Sequence, residues 1–243
     1  MENNVICMKW GTAYGPEYVN ILAAMVKRHL TIPHRFVCFT DDTTGIHPSI
    51  ETRPIPEIAL GSAPIWSGWR KIASLSPHLG LTGNVLFLDL DLIIMGNIDG
   101  FFTHAPNEFC IIENWTQPGQ KIGNSSVYRY RADAHTDVFA DFERRHEEIY
   151  RTITNEQTYL TLQVAQKHKV EFWPDEWCRS FKRHCLPNVF LRPFVAPQPP
   201  KGCKILVFHG PPKPIDAAHG KWPNKRKCLR PSPWILQHWK ESA

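Results

Sequence analysis

Val85-Leu86-Phe87-Leu88-Asp89-Leu90-Asp91 is the stretch on which the reading of this chain turns. Four apolar residues in a row, with no polar alternation, describe a strand buried on both faces, the habit of central parallel strands. Two aspartates follow, two positions apart. In extended backbone, residues i and i+2 point to the same face, so Asp89 and Asp91 can converge on one ligand. The carboxyl ends of such strands are where α/β proteins hold their ligands. Two anions side by side repel unless a cation neutralises them, and carboxylate oxygens suit a divalent ion.

Working outward from this strand, the chain alternates strand and helix patterns. Asn4 to Trp10 is a short apolar strand that ends in Gly11-Thr12-Ala13-Tyr14-Gly15-Pro16. Glu17 to Leu30 has helical periodicity, with Tyr18, Ile21, Leu22, Met25 and Val26 on one stripe and Pro16 fit for the first turn. His34 to Phe39 reads as a second strand, so the order implies a parallel pair joined by a crossover. Arg53 to Ile58 carries two prolines and suits an edge strand or a loop. Gly68 to Leu75 looks helical, and Asn84 to Leu90 is the acidic strand itself. Asp133 to Arg151 and Thr154 to Lys167 follow as helices, then a proline-rich loop from Lys182 to Lys204 and a short strand from Ile205 to Phe208. For the second of those helices Thr154 is the expected cap, with Gln157 closing a capping box. No internal repeat is visible. The fold expected is a single α/β domain over residues 1–220, a Rossmann-like mixed sheet flanked by helices, with a C-terminal extension over 221–243.

Composition narrows the class. Hydrophobic residues make up 42% and charged residues 21%, ordinary for a globular protein, and no run of 18 apolar residues occurs. The first residues lack a basic stretch followed by an apolar one, so a cytoplasmic location is expected. Seven cysteines, an odd number with no Cys-x-x-Cys pair, suggest free buried thiols rather than disulfides or zinc. The net charge of +5 is concentrated in the tail, where Lys221, Lys225, Arg226, Lys227, Arg230 and Lys240 alternate with Trp222, Trp234 and Trp239. Such a tail suits the inner face of an anionic bilayer, or else packs its tryptophans on the domain; no nucleic-acid partner is expected.

An Asp-x-Asp pair by itself also serves as two turn-forming residues. In phosphatases of the haloacid-dehalogenase group it carries a nucleophile, but there Gly-Thr follows near the N-terminus. Here Leu92-Ile93-Ile94 follows, deep in the chain. A second segment decides: Phe208-His209-Gly210-Pro211-Pro212-Lys213-Pro214, after the last strand. A lysine next to a glycine turn supplies charge and close backbone approach to an anion, and imidazole beside two carboxylates favours Mn²⁺ over Mg²⁺.

Together the two segments resemble the GT-A glycosyltransferases, and within them the family 8 type of bacterial galactosyltransferases and glycogenin. Val85 to Ile94 is similar to that group's strand with its Asp-x-Asp. Phe208 to Pro214 resembles its His-x-x-Gly-x-x-Lys-Pro signature in a shortened form. The resemblance implies a metal site of Asp89, Asp91 and His209, holding Mn²⁺ or Mg²⁺, with Gly210 and Lys213 along a diphosphate. It places Lys9, Trp10, Thr12 and Tyr14 against the nucleotide, with Tyr14 as the stacking partner, and Asp41 at the base or ribose. In the run Trp66-Ser67-Gly68-Trp69-Arg70-Lys71, Lys71 or else Arg70 would reach the phosphates. Leu90, between the aspartates, lies against the donor, as do Asn124 and Ser125. Asn155-Glu156-Gln157 resembles the family's Asp-Gln pair, with Gln157 beside the reacting carbon and Glu156 on sugar hydroxyls.

The implied activity is transfer of a sugar from a nucleotide-diphosphate sugar, UDP-linked by the resemblance, to a glycan or glycolipid hydroxyl, with retention of configuration. Asp175, Glu176 and Trp177 are candidate acceptor contacts. Two alternatives stand beside it. A nucleotidyltransferase that makes sugar nucleotides would want Arg and Lys in the glycine loop, which Gly11 to Gly15 lacks. A non-catalytic glycan-binding module would use the nine tryptophans without a metal site.

Overall fold

The computed structural model describes residues 2–64, 67–223 and 228–241. In chain order the elements are β1 (Asn3–Lys9), α1 (Pro16–His29), β2 (Arg35–Thr40), β3 (Glu51–Arg53), a 3₁₀ helix (Gly68–Leu75), β4 (Asn84–Leu88) and β5 (Leu92–Ile94). They continue with α2 (Gly100–Thr103), β6 (Phe109–Glu113), β7 (Gly123–Arg131), α3 (Thr136–Thr152), α4 (Glu156–Ala165), β8 (Val170–Phe172) and β9 (Cys178–Ser180). A π-helical turn (Phe181–Cys185), β10 (Ile205–Val207), α5 (Pro214–Ala218) and α6 (Ile235–His238) complete them. No helix among the described residues is long and apolar enough to cross a membrane.

A seven-stranded sheet runs in the order β3-β2-β1-β4-β7-β6-β8. β1 pairs in parallel with both β2 and β4, while β7 is antiparallel to β4 and to β6. The sheet is therefore mixed, and β3 is its edge, as the two prolines after it anticipate. A small second sheet, β5-β10-β9, brings the chain back beside the acidic segment.

β4 shows why an unbroken apolar run marks a central strand. Val85 and Phe87 enter the core on one face of the sheet, and Leu86 and Leu88 the core on the other. The first core is closed by the 3₁₀ helix, α3 and α4, with Trp69 stacked on Phe142 at 5.5 Å. The second is closed by α1, whose buried stripe is Tyr18, Val19, Ile21, Leu22, Met25 and Val26, and by the small sheet.

Several element ends lie one to three residues from those the sequence predicts, and two of them shape the site. The acidic strand ends at Leu88 rather than Leu90, and Asp89 to Asp91 form a turn into β5. Helix α4 begins one residue later than expected: Asn155, not Thr154, is its cap and accepts from Thr158 N at 3.0 Å. Asn155 is the better cap because its side-chain oxygen reaches the free amide two residues into the helix. Gln157 is thereby released from a capping box and lines the pocket described below.

The cysteines are free, and all but Cys228 are buried. In the tail, Trp239 is buried, and Trp222 and Trp234 pack against the same core that receives Leu229 and Ile235. Packing therefore accounts for the three tryptophans. Lys225, Arg226 and Lys227 lie outside the described residues, as does Trp66.

Candidate active site

The pocket opens where the C-terminal ends of β1 and β4 meet the start of β7. It has a volume of about 590 Å³ and is lined by Trp10, Thr12 and Tyr14 from the loop after β1, by Asp89, Leu90 and Asp91, and by Asn124, Ser125 and Ser126. Gly68, Lys71, Glu156, Gln157, His209 and Gly210 close it.

The acidic turn is held by its backbone. Asp89 N donates to Ser126 O at 2.9 Å, and Asp91 O accepts from Phe208 N at 3.2 Å. One bond ties the turn to β7 and the other to the end of β10, so both aspartates are positioned by the two sheets. The two carboxylates share the pocket although they sit on a turn rather than in the extended strand that the sequence predicts.

Each carboxylate has its own lysine. Lys71 Nζ lies 2.6 Å from Asp89 Oδ1 and 3.9 Å from Glu156 Oε1. Lys213 Nζ lies 2.6 Å from Asp91 Oδ2 and also donates to the Tyr14 hydroxyl, which itself donates to Asp91 at 2.8 Å. Burial and then the neighbouring Asp89 push the Asp91 carboxyl above its ordinary value, against the pull of Lys213 and Tyr14. Burial alone would lower the Lys71 ammonium; Asp89 and Glu156 outweigh it and the group is held above its ordinary value. The Tyr14 phenol is pushed up strongly, by burial first and by Asp91 second, so it remains a proton donor.

A second polar strip faces this one. Ser125 Oγ donates to Glu156 Oε1 at 2.8 Å, and Asn124 Nδ2 donates to Gln157 Oε1 at 3.3 Å. Glu156 needs room, and Gly68 supplies it: a Cβ there would lie 2.7 Å from Glu156 Oε2.

The structure sorts the predicted residues. It gathers Asp89, Leu90, Asp91, Lys71, Asn124, Ser125, Glu156, Gln157, Trp10, Thr12, Tyr14, Gly210 and Lys213 into one place. Of the two basic candidates, Lys71 enters the pocket, while Arg70 lines a separate surface hollow beside Glu143. Lys9 is buried at the end of β1 and does not line the pocket. Asp41 accepts from Gly11 N at 3.0 Å, fixing the loop whose Gly11 has φ of +57°. Asp175, Glu176 and Trp177 are not on the pocket wall. Tyr14 presents its hydroxyl to Asp91 and its ring to Lys213, whose Nζ is 4.5 Å from the ring centroid.

His209 lines the pocket beside Gly210 and is held from the side of β9. Its Nε2 shares a hydrogen bond of 2.6 Å with Ser180 Oγ, and its ring stacks on Trp115 at 6.0 Å. Burial, then Lys182 and Arg183, lower its pKa to about 4, so the ring is neutral at pH 7. Among the described residues no three His, Cys, Asp or Glu side chains come together as a metal site.

Ser180, Trp115 and Gly68 escape the sequence reading, whereas Ser126 belongs to the polar run Asn124-Ser125-Ser126 that resembles the family's donor-sugar segment. No motif marks Ser180, since only the pairing of β9 with β10 sets it beside His209. Gly68 had a signal, its place in the run before Lys71, although its value lies in Glu156, 88 residues later.

No protein-family model and no curated protein sequence matches the chain. Its fold is nonetheless that of the GT-A glycosyltransferases. The galactosyltransferase LgtC, in a crystal structure with donor and acceptor sugar analogues, superimposes with a TM-score of 0.60 at 12% identity, over 87% of this chain and 88% of that one. An active-site mutant of LgtC gives the same TM-score and identity, over 87% and 89%.

Proposed function

We propose that the protein is a divalent-metal-dependent glycosyltransferase that takes its sugar from a nucleotide-diphosphate donor, UDP-linked by the resemblance to family 8. The observation that carries the reading is the charge arrangement of the pocket: Asp89, Asp91 and Glu156 against Lys71 and Lys213. By formal charge the five groups sum to −1, a poor receptor for a diphosphate anion on its own. A divalent cation held by Asp89 and Asp91 restores the balance, and two carboxylates with phosphate oxygens form a donor set that Mn²⁺ or Mg²⁺ accepts. His209 has Nδ1 to offer as a third ligand, since the bond to Ser180 engages its Nε2. When bound, the cation supplies charge stabilisation to the diphosphate as it leaves.

The chain's own residues have distinct tasks in this reading. Lys71 and Lys213 are ammonium groups already fixed beside the diphosphate's place, so they stabilise the leaving charge without reorganising. Tyr14 orients Lys213. Asn124, Ser125, Glu156 and Gln157 form the strip for the donor sugar's hydroxyls, with Gln157 nearest the reacting carbon by the family likeness. Each carboxylate on the pocket wall already faces a lysine, which leaves none free as a base and accords with retention. The acceptor is a glycan or glycolipid hydroxyl, and the inner face of the membrane is the proposed place of work.

The glycan-binding alternative has no comparable support, since the eight described tryptophans are all buried in, or packed against, the two cores. A panel of UDP-sugars incubated with the protein and Mn²⁺ tests the proposal. Release of UDP from one or two of them is expected, and no release from any, with or without metal, would sink it.

A further inference from the structure

Among the described residues, apolar exposure is concentrated in one short segment. Of the large hydrophobic side chains exposed in the structure, Val189, Phe190, Leu191, Phe194 and Val195 all fall within seven residues, with Phe190 82% and Phe194 78% exposed. The segment is a pair of consecutive turns, and its backbone is largely self-satisfied. Leu191 N donates to Asn188 O, Phe194 N and Val195 N donate to Leu191 O, and Phe190 N donates to Asn188 Oδ1. From Val189 to Val195, where Pro193 has no N–H, four of six amides are thus paired inside the loop. That pairing matters for what can cover it, because apolar side chains on an unsatisfied backbone cannot leave water cheaply.

Basic groups frame the knob. Arg192 is in the loop itself, its Nε bonded to Pro187 O at 3.2 Å. Arg230 reaches it from the tail, with Nη1 3.3 Å from Pro193 O. The exposed Arg183 lies just upstream, in the π-helical turn. No acidic residue occurs between Cys178 and Lys204. Protruding aromatic side chains ringed by cations match an anionic bilayer, into which the rings insert while the guanidiniums meet lipid phosphates. Cations beside exposed rings, with no carboxylate in the same stretch of chain, favour an anionic lipid surface over an apolar groove on a protein partner.

We infer that residues 188–195 are a membrane-docking knob that inserts into the interfacial layer of an anionic lipid surface. The inference rests on the glycosyltransferase reading only for its use. Ser180, bonded to His209 on the pocket wall, is eight residues upstream of Asn188, so the knob lies within about 25–30 Å of chain contour from the pocket. Docking through it would hold the pocket mouth near lipid-borne acceptors. It also divides the work of the tail, which contributes Arg230 to this surface and its tryptophans to the core.

Co-sedimentation of the full chain with phosphatidylcholine vesicles, with and without phosphatidylglycerol, tests this in the absence of any sugar nucleotide. The wild type is expected to bind the anionic vesicles and to bind the neutral ones weakly. Each phenylalanine should supply roughly tenfold of the affinity, so Phe190→Ser with Phe194→Ser should lose about a hundredfold. Release of UDP from a donor in solution should be unchanged in that double variant. Wild-type protein that ignores anionic vesicles, or a double variant that binds as well, overturns the proposal. So does a wild-type dimer that the two substitutions convert to monomer, since the knob would then be a self-association surface. If UDP release fails throughout but vesicle binding follows the phenylalanines, the catalytic reading falls and the docking surface stands.

Discussion

Removing the ammonium of Lys213 while keeping its stem, as in Lys213→Met, should expose the electrostatic design of the site. Asp91 has a side chain only 9% exposed and loses a charged partner at 2.6 Å, keeping Tyr14 as a neutral donor and Asp89 as a like charge. The carboxylate can escape by taking a proton, and that limits the cost. At pH 7 protonation lies about 3 pH units above the ordinary carboxylate value, and each unit is about 1.4 kcal/mol, so the loss of stability cannot exceed about 4 kcal/mol. At pH 5 the same limit is about 1.5 kcal/mol. The sign follows from the direction of the shift. A carboxyl raised in the folded state binds its proton more tightly there than in the unfolded chain, so the penalty vanishes at low pH and grows as pH rises. Urea unfolding of wild type and Lys213→Met at the two pH values is the assay. Expected is a deficit of about 2–4 kcal/mol at pH 7 that shrinks to under about 1.5 kcal/mol at pH 5. An equal deficit at both would mean that the lysine acts through packing, and no deficit at either would mean that Asp91 does not depend on it.

Gly68→Ala places a Cβ within 2.7 Å of Glu156 Oε2 and should displace that carboxylate from Lys71 and Ser125. Donor turnover should fall by about tenfold or more with the fold intact, read by UDP release alongside circular dichroism. Arg129 is buried in β7, and its guanidinium donates to the carbonyls of Phe101, His104, Ala105 and Glu108. Arg129→Met leaves those acceptors unpaired and should cost about 3–5 kcal/mol by denaturant unfolding, with no change in the Mn²⁺ dependence of whatever activity remains.

How much of this was legible in the sequence depends on whether the signal is local. The apolar run before Asp89, the stripe on α1 and the order of the elements are local patterns, and the parallel pairing of β1 with β2 and the interior place of β4 in the sheet agree with them. The donor strip was legible because Asn124-Ser125 and Glu156-Gln157 are compact motifs, although their pairing across β7 and α4 is tertiary. The strand end and the helix cap were each misplaced by one or two residues, because a turn pinned by Ser126 and Phe208 has no local signature. His209 shows what a local motif leaves open: the register of β9 against β10 sets its Nε2 against Ser180, a contact that no pattern in the sequence announces. The exposed knob at 188–195 was invisible because a proline-rich stretch reads as loop whether its phenylalanines face inward or out.

Thermal unfolding of the wild type with UDP and Mn²⁺, together and separately, and of Asp89→Asn and Asp91→Asn under the same conditions, tests the central claim most directly. A ligand at a hundred times its dissociation constant adds about 2.7 kcal/mol, a shift of roughly 5–11 °C for a chain of this size, where each kcal/mol moves the midpoint by about 2–4 °C. The account predicts that shift for the wild type only when UDP and Mn²⁺ are both present, and its loss in each aspartate variant. An undiminished shift in Asp89→Asn and Asp91→Asn, or one that UDP alone produces in full, would contradict it.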